Sequence, residues 1–285
     1  MSPLVATTIA ECRSALARLR LGRRVGFVPT MGALHEGHLS LVDLAAQHAD
    51  VVVVSVFVNP AQFGPGEDFE RYPRDLERDV RLAAERGVTL VFAPDPAEMV
   101  PRALLTTVTM RGITDDLEGA HRPSHFDGVL TIVAKLFHVV APDVAVFGQK
   151  DAQQAAAIRR MVADLDFPVE IVIGPTIREP DGLALSSRNA FLTADDRREA
   201  LALHTALARA ETLARSGVQD AERLLDAMRE ELSTHSAIAV DYVALVERDS
   251  FRPVSRLSGP SVAAVAARVG ETRLIDNVVL EPHER

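Results

Sequence analysis

The fold is predicted by the segment RVGFVPTMGALHEGHLSLVDLAAQHADVVVVSVFV, residues 24–58. Residues 24–28 read as a short apolar strand, and residues 39–49 carry apolar side chains at helical spacing. Residues 51–58 form a β-branched run, continuous enough for a strand that is buried on both faces. Strand, helix and strand in this order indicate a βαβ unit, whose two strands lie parallel in one sheet.

The same alternation continues through the first part of the chain. Helices and strands alternate, with helices predicted near 75–86, 129–140 and 153–165 and strands near 88–94, 143–148 and 169–174. After a polar stretch rich in Gly and Pro, two helices near 193–216 and 221–233 precede strands near 239–247, 261–269 and 272–281. We therefore predict an α/β fold. Residues 1–177 form a Rossmann-like open parallel sheet with helices on both faces, and residues 178–285 form a smaller C-terminal α+β domain.

Composition narrows the classes of function. The 285-residue chain has a net charge of -9, which argues against nucleic-acid binding but leaves an anionic small substrate open. Cys12 is the only cysteine, so neither an intrachain disulfide nor a cysteine-based zinc site is expected. The N-terminus reads as an amphipathic helix rather than a signal peptide, and the run 51–58 is too short to span a bilayer. We expect a cytoplasmic protein without a membrane partner.

The sharpest chemical signal is PTMGALHEGHLSLV, residues 29–42, where the first strand gives way to a helix. Gly32 and Gly37 permit backbone conformations and close approaches that a Cβ hinders, and a helix N-terminus offers free amides to a phosphate. His35 and His38 are three residues apart, so both rings project on one side and could stabilise charge on a phosphate in transfer. Capping or packing of the turn is the alternative role, and a metal site lacks a third ligand at familiar spacing.

Two further clusters suit nucleotide chemistry, although each alone is more typical of an ordinary polar strand end or linker. In FGQKDAQQ, residues 147–154, Lys150 could reach a phosphate, Asp151 could accept from a ribose hydroxyl or orient Lys150, and Gln154 could point into the same cleft. In LALSSRN, residues 183–189, two hydroxyls and a guanidinium could bind pyrophosphate and close over it as a lid.

Two loops complete the set of candidates. The run from Asn59 to Gly66 places neutral amides after the second strand, which suits hydroxyl and carboxylate recognition, or it is a simple loop. HRPSHFDGV, residues 121–129, is either a wall of the site or only a polar connection.

Several motifs in one order resemble the pantoate–β-alanine ligase family of the HxGH nucleotidyltransferase superfamily. They are VPTMGALHEGH (28–38), FVNPAQF (57–63), YPR (72–74), LEG (117–119), RPSHFDGV (122–129), FGQKDAQQ (147–154), REPDGLALSSRN (178–189) and DNVVLE (276–281). The resemblance implies a ligase that uses ATP with Mg²⁺ to activate pantoate as pantoyl-adenylate, which β-alanine converts to pantothenate with release of AMP. It also implies a homodimer.

The resemblance further implies roles for individual residues. His38, as the general acid, and His35 and Lys150, on the phosphates, are the implied catalytic residues. Gln62 and Gln154 would hold pantoate, with Gln62 also near β-alanine. No protein ligand to a metal is implied, because Mg²⁺ would bridge phosphate oxygens. The implied ATP site consists of Met31, Gly32, Ala33, Leu34, His35, Glu36, Gly37, His38, Gly148, Gln149, Lys150, Asp151, Ile177, Leu185, Ser186, Ser187 and Arg188.

Two positions depart from the family pattern, and three rival functions stand beside it. Leu185 occupies a place often held by Met, and Gln149 one often held by Glu, which puts the phosphate end of the site in doubt only if that charge is needed. The rivals are another HxGH adenylyl- or cytidylyltransferase, a tRNA synthetase, and a nucleotide sensor without catalysis. The acidic net charge and the short second domain disfavour the tRNA synthetase.

Overall fold

A computed structural model describes residues 2–100 and 104–282. Its first part alternates strands and helices, and its second part has two long helices followed by three strands. In chain order the elements are β1 (Leu4–Ala6), α1 (Ile9–Leu19), β2 (Val25–Thr30), α2 (Glu36–His48), β3 (Val51–Val56), α3 (Leu76–Glu85), β4 (Leu90–Phe92), α4 (Pro96–Met99), α5 (Glu118–His121), α6 (His125–Val140), β5 (Val144–Gly148), α7 (Ala152–Asp164), β6 (Glu170–Gly174), α8 (Ala194–Arg215), α9 (Ala221–Ser233), β7 (Ile238–Glu247), β8 (Ser261–Val269) and β9 (Thr272–Leu280).

The first six strands form one parallel sheet in the order β1-β4-β3-β2-β5-β6. Strand β3 is buried on both faces, and its residues alternate between two cores because neighbouring side chains in a strand point to opposite faces. Val51 and Val53 pack with α1, α6 and α7, whereas Val52 and Val54 pack with α2 and α3. The predicted α/β fold with helices on both faces of a parallel sheet is confirmed.

The last three strands form an antiparallel sheet in the order β7-β8-β9. The central strand β8, SVAAVAARV, is buried along nearly its whole length, and its small side chains let layers pack closely on both faces. Ala263 and Val265 pack with α8 and α9, whereas Val262 and Ala264 belong to the core of the first part. The smaller α+β region is therefore present, and one of its faces completes the core beneath the parallel sheet.

Strand β1 is the main addition to the predicted elements. The N-terminal segment was expected to be helical throughout, but Leu4–Ala6 pairs in parallel with β4, and only residues from Ile9 onward form the helix. Three residues are too few to show a period of two. The strand exists because Ala6 fills a buried position at the sheet edge, which is a tertiary effect.

Candidate active site

The site lies where the strand order of the parallel sheet reverses. The chain runs outward from β2 to β3 on one side and resumes at β5 on the other, so the carboxyl ends of β2 and β5 flank a crevice. Open α/β sheets bind ligands at such a point. A cavity of about 230 Å³ opens there, and residues from both strand ends line it.

His35 and His38 stand at the start of α2 with their rings stacked, 4.1 Å between centroids. His35 is the N-cap residue: its Nδ1 accepts a hydrogen bond from the Gly37 amide at 3.1 Å. Because that nitrogen accepts, the ring proton lies on Nε2, which is a donor. The glycine is required here, since a Cβ at position 37 would lie 2.9 Å from the His35 ring.

Both histidines are neutral near pH 7. Burial lowers the pKa of His35 to about 4, and the positive charge of Lys150 acts in the same direction. Burial, followed by the neighbouring His35, lowers the pKa of His38 to about 3. The Nδ1 atom of His38 is buried and has no hydrogen-bond partner among the described residues. The pair thus provides neutral imidazoles. A neutral ring can donate a hydrogen bond to a phosphate without repelling the positive charge of Lys150.

The loop between β2 and α2 is held from behind by helix α3. The carboxylate of Asp79, which is 1% exposed, accepts hydrogen bonds from the amides of Ala33 at 2.9 Å and Leu34 at 2.7 Å. Arg78 donates to the Leu34 carbonyl at 2.9 Å. Gly32 has φ +82°, and Ala33 has φ +50°, a left-handed conformation that costs a non-glycine residue energy. Asp79 therefore holds a strained loop in place.

This arrangement corrects the expectation of free amides at the turn. The amides of Ala33 and Leu34 are bound by Asp79, that of Gly32 donates to the Thr30 hydroxyl, and that of Gly37 donates to His35. Four amides of the segment are thus occupied within the protein. The side chains of the two histidines, rather than these amides, are the groups that this turn offers to a phosphate.

Gln62 ends a 3₁₀ turn that follows β3, and its amide has a defined orientation. The side chain of Asn59, 2% exposed, donates from Nδ2 to Gln62 Oε1 at 3.0 Å and to the Gly128 carbonyl at 3.2 Å. Because Oε1 accepts from Asn59, the orientation of the amide is fixed. Its Nε2 group is the donor and lies 2.8 Å from the Met31 sulfur. Gln62 is thereby set to present N–H groups to an acceptor such as a carboxylate.

The end of β5 contributes the second predicted cluster. Lys150, Asp151 and Gln154 line the cavity. Gln149 turns away: its Nε2 donates to Asn277 on β9 at 2.9 Å, and Asn277 Nδ2 donates back to the carbonyls of Gln149 and Lys150. A neutral amide at position 149 therefore ties the strand end to the C-terminal sheet.

The third predicted cluster faces the loop that precedes α3. Arg188 forms a bidentate ion pair with Asp68, with both N···O distances 2.9 Å. Ser187 Oγ donates to the Tyr72 hydroxyl at 3.2 Å. Although burial opposes the effect, Arg188 lowers the pKa of Asp68, so the pair is charged near neutral pH. The segment 183–189 thus packs against the loop over the cavity.

Most of the predicted residues meet at this cavity, and five do not. Those that line it are Met31, His35, Gly37, His38, Gln62, Gly148, Lys150, Asp151, Gln154, Ile177, Leu185, Ser186, Ser187 and Arg188. Those that do not are Gly32, Ala33, Leu34, Glu36 and Gln149. Ala33 and Leu34 are gripped by Asp79, and the carboxylate of Glu36 pairs with Arg86 at 2.7 Å. As ATP ligands these five stay predictions.

The sequence did not single out the apolar wall of the cavity or several polar residues around it. Val129, Ile132, Val133 and Leu136 of α6 line one side, and helical spacing alone marks them as core. Asp79 gave no local signal, because its two partners lie more than forty residues away in the chain. The open question about residues 121–129 is answered in part, since Arg122 and His125 line the cavity.

Comparison with known proteins assigns the family. A sequence model described as pantoate-beta-alanine ligase matches residues 4–279. The chain belongs to the pantoate–β-alanine ligase family. A pantothenate synthetase of Moorella thermoacetica is 54% identical, over 97% of this chain and 98% of that protein. The family prediction, and with it that of a ligase, is confirmed.

Solved structures agree with the family. A pantothenate synthetase crystal structure from Thermus thermophilus superposes with a TM-score of 0.94 at 49% identity, covering 98% of this chain and 100% of that one. A pantoate-beta-alanine ligase from Francisella tularensis, complexed with beta-gamma ATP and beta-alanine, has a TM-score of 0.82 at 33% identity, with 97% of each chain covered. The rival transferase, synthetase and sensor functions lose support accordingly.

Metal-binding side-chain groups and membrane-spanning helices are two further features by which the described residues can be assessed. Within residues 2–100 and 104–282, no group of three or more His, Cys, Asp or Glu side chains is arranged to hold a metal ion. Over the same residues, no helix has the length and apolar character needed to cross a membrane.

Proposed function

We propose that the chain catalyses the ATP-dependent condensation of pantoate with β-alanine, through a pantoyl-adenylate. The supporting observation is that the stacked His35–His38 pair, Lys150 and the two amides of Gln62 and Gln154 line one cavity with an apolar wall. The pair and the lysine suit a phosphate, and the amides suit a carboxylate. The apolar wall suits the branched carbon skeleton of pantoate.

In the first step, a pantoate carboxylate oxygen attacks the α-phosphorus of ATP. A new O–P bond forms, the bond from that phosphorus to the bridging oxygen breaks, and pyrophosphate leaves. Lys150 supplies a positive charge that stabilises the phosphates. The neutral histidines donate hydrogen bonds to the phosphate oxygens on which negative charge develops in the transition state. His38, which lacks a partner for its buried Nδ1 among the described residues, is the better placed to take up and deliver a proton once the phosphates raise its pKa.

In the second step, the amine of β-alanine attacks the acyl carbon of the adenylate. The C–N bond forms, the C–O bond to AMP breaks, and the amine loses a proton. Hydrolysis competes with this step, so the site must exclude water until the amine arrives. The loop bearing Asp68 and Tyr72, which already contacts Arg188 and Ser187, is positioned to cover the cavity.

The proposed ATP site comprises the cavity-lining residues from Met31 to His38, Gly148 to Asp151, Ile177, and Leu185 to Arg188. Arg188 is paired with Asp68, so a phosphate would bind the Arg188 guanidinium either beside that carboxylate or in its place. A larger cavity of about 580 Å³, which also touches Lys150, Gln154 and Arg188, adjoins the site and reaches the C-terminal sheet. It offers room for the triphosphate and for the departure of pyrophosphate.

Magnesium fits this site as a companion of ATP. Asp151 is a carboxylate that lines the cavity beside Lys150, whereas Asp68 is engaged by Arg188. One carboxylate together with phosphate oxygens is a donor set that Mg²⁺ accepts, because the ion commonly keeps several waters. When bound, the ion would neutralise phosphate charge, and Asp151 is the residue that would hold it.

The proposal also includes a homodimer, a cytoplasmic location, and a division of the chain at residue 177 into a catalytic part and a C-terminal lid. Family resemblance supports the dimer and the location. The boundary is supported by the end of β6 at Gly174 and the irregular segment that follows before α8. Sedimentation of the purified protein at several concentrations tests the dimer.

The test of the function is a partial-reaction assay. The protein is incubated with MgATP and pantoate, with and without β-alanine, while pyrophosphate and AMP are measured. We expect one equivalent of pyrophosphate per active site from pantoate alone, and continuous AMP release only when β-alanine is added. Steady AMP release that needs neither β-alanine nor any other amine would count against the ligase.

A further inference from the structure

The backbone carbonyl of Gln62 is bound by two side chains from another part of the chain. His125 Nδ1 lies 2.8 Å from this oxygen, and Arg122 Nη2 donates to it at 3.2 Å. Gln62 ends its 3₁₀ turn, where a carbonyl lacks the partner that a continuing helix provides. Together with the hydrogen bond from the Asn59 side chain to Gln62 Oε1, these contacts fix both the backbone and the side chain of Gln62.

Arg122 also determines how His125 binds. Arg122 Nη1 lies 3.1 Å from His125 Nε2, and since a guanidinium can only donate, that ring nitrogen must accept. The ring proton is therefore on Nδ1, where it is donated to the Gln62 carbonyl. Burial and the adjacent Arg122 lower the pKa of His125 to about 4, in agreement with a neutral ring.

Arg122 is itself held between two carboxylates. It forms a bidentate pair with Glu67, at 2.8 and 2.7 Å, on the loop that covers the cavity. Its Nη1 also lies 3.9 Å from Glu118. The Arg122 side chain is 12% exposed, so these charge interactions act with little screening by water.

Glu118 connects this cluster to the C-terminal sheet. Its carboxylate accepts two hydrogen bonds from Arg273 of β9, at 2.7 and 2.8 Å, and one from the Tyr242 hydroxyl of β7 at 2.9 Å. A continuous set of contacts thus runs from β9 through Glu118 and Arg122 to the carbonyl of Gln62. Within residues 2–100 and 104–282, Arg122 is the residue that contacts both the Gln62 carbonyl and Glu118.

We infer that Arg122 is a positioning residue for the acid-binding end of the site, through which the C-terminal sheet sets the place of Gln62. The inference rests on the proposed role of Gln62 in binding pantoate. Arg122 acts through Gln62 and His125: although it lines the cavity, its guanidinium is already engaged by Glu67 and by the Gln62 carbonyl. Its loss should therefore weaken the use of pantoate without affecting the use of ATP.

The experiment compares Arg122→Lys with Arg20→Lys in the pyrophosphate-release half-reaction. Arg20 is a matched control, because it also donates to backbone carbonyls, those of Val140 and Ala141, but lines neither cavity. A lysine at position 122 keeps the charge but cannot bridge the carbonyl, His125 and Glu67 together. We expect the KM for pantoate to rise about tenfold or more, as for loss of a charge-assisted hydrogen bond. The KM for ATP should stay within about twofold, since the described contacts of Arg122 are with Glu67, His125, Glu118 and the Gln62 carbonyl, and none of these belongs to the proposed ATP site.

The Arg20→Lys variant should leave both KM values unchanged. The inference is overturned if Arg122→Lys behaves like the control, or if it raises both KM values equally, as a general loosening of the fold would. Pantoate-dependent pyrophosphate release by the wild-type protein separates the two hypotheses. Its absence refutes the proposed function, whereas a normal wild-type reaction with an unaffected Arg122→Lys variant refutes only the role of Arg122.

A second variant covers the case in which Arg122→Lys does not fold. Glu67→Gln removes the carboxylate that holds Arg122 from the loop side, and the Glu67 side chain is 25% exposed, so the core is not disturbed. We expect the KM for pantoate to rise about two- to fivefold, the range for a partly exposed ion pair. The KM for ATP should again not change. An unaltered KM for pantoate in this variant would also refute the inference.

Discussion

His35 has two roles, as the N-cap of α2 and as a hydrogen-bond donor, and a conservative substitution can remove the second while keeping the first. The Nδ1 atom caps helix α2 through the Gly37 amide, and the Nε2 group is the donor that we propose for the phosphates. Asn is also a good N-cap residue. We predict that His35→Asn keeps the melting temperature within about 2 °C but lowers the rate of pyrophosphate release on the order of 10²-fold, as for loss of one donor to a transition state.

His38 should show the same loss of rate when replaced by Ala. Its role is judged against His138→Ala, because His138 is an exposed histidine on α6 that packs on Phe167 away from the cavity. Single-turnover rates at saturating ATP and pantoate are the measurement. Full activity in both His35→Asn and His38→Ala would exclude the proposed mechanism.

The lowered pKa values make stability depend on pH. The ordinary histidine pKa is 6.5, whereas in the folded protein it is about 4 for His35 and about 3 for His38. Between these values the unfolded chain binds protons that the folded chain does not. The contribution of the two neutral histidines to the free energy of unfolding is therefore fully present above pH 6.5, and it is lost as the pH is lowered toward 4. Each histidine contributes up to about 1.4 kcal/mol per pH unit.

Urea titrations at pH 8, 7, 6.5 and 5 test this dependence. We expect equal midpoints at pH 8 and 7 and a clear decrease between pH 6.5 and 5. The double variant His35→Asn, His38→Gln should weaken that decrease without abolishing it, since two histidines with a lowered pKa are gone while His125, whose pKa is also lowered to about 4, remains. A midpoint that does not change down to pH 5 would show that these rings are protonated in the folded state.

At the residue scale, the chemistry-bearing residues were predictable and their supports were not. His35, His38, Lys150 and Gln154 lie in the turns and first helical residues that follow β2 and β5, where the pattern of a parallel sheet places ligands. Asp79 and Glu118 bind groups that are remote in sequence, so only the folded chain brings them together. The turn amides were predicted to be free, but those of Ala33 and Leu34 donate to Asp79 of another helix, and those of Gly32 and Gly37 donate to side chains two residues away.

At the scale of elements, helix α3 affects the site through Arg78, which donates to the Leu34 carbonyl, and chiefly through Asp79, whose carboxylate accepts from two amides of the loop. Substitution by Asn leaves one of the Ala33 and Leu34 amides facing a donor instead of an acceptor. We predict that Asp79→Asn lowers the rate of pyrophosphate release about 10- to 100-fold, because a displaced loop carries His35 with it. Hydrogen exchange of the Ala33 and Leu34 amides should become faster.

Two further variants give this prediction its controls. Asp75→Asn makes the same chemical change one turn earlier, where the side chain only caps α3 by accepting from the Arg78 amide, and its rate should equal that of the wild type. Adding Ala33→Gly to Asp79→Asn should recover at least about fivefold in rate, since glycine adopts the left-handed conformation without strain. No recovery, with both amides still protected, would mean that Asp79 does not act through this loop.

Long periodic elements were predicted closely, and short ones were missed. Helix α9 was expected at 221–233 and is found at Ala221–Ser233, because its Asp220 cap and apolar spacing are local signals. Strand β1 and the four-residue helices α4 and α5 have too few residues to show a period. They are stabilised by contacts with distant segments, which a local pattern does not contain.

At the scale of the whole molecule, the two parts of the chain share a core. Val246, Phe251, Val262 and Ala264, all from beyond residue 178, belong to the same cluster as the strands and helices of the first part. We therefore predict that residues 1–177 expressed alone expose apolar surface, bind ANS and aggregate, whereas the full chain melts as one unit.

Calorimetry of the full chain is the measurement for this prediction. A single peak, with a calorimetric enthalpy equal to the van't Hoff enthalpy, is expected. Two resolved transitions, or a monomeric 1–177 fragment with a sharp melt of its own, would show that the boundary at 177 separates independent folding units.

The chain has no tryptophan and only two tyrosines, and both of these lie on contacts described above. Tyr72 hydrogen-bonds Ser187 at the ATP side, and Tyr242 hydrogen-bonds Glu118 at the C-terminal sheet. With no indole to absorb the transferred energy, the near-ultraviolet emission of the protein comes from these two phenols alone. Removing one of them by Tyr→Phe would leave a single native fluorophore at either end of the cleft. The molecule thus carries its own optical probes for following substrate binding without a label.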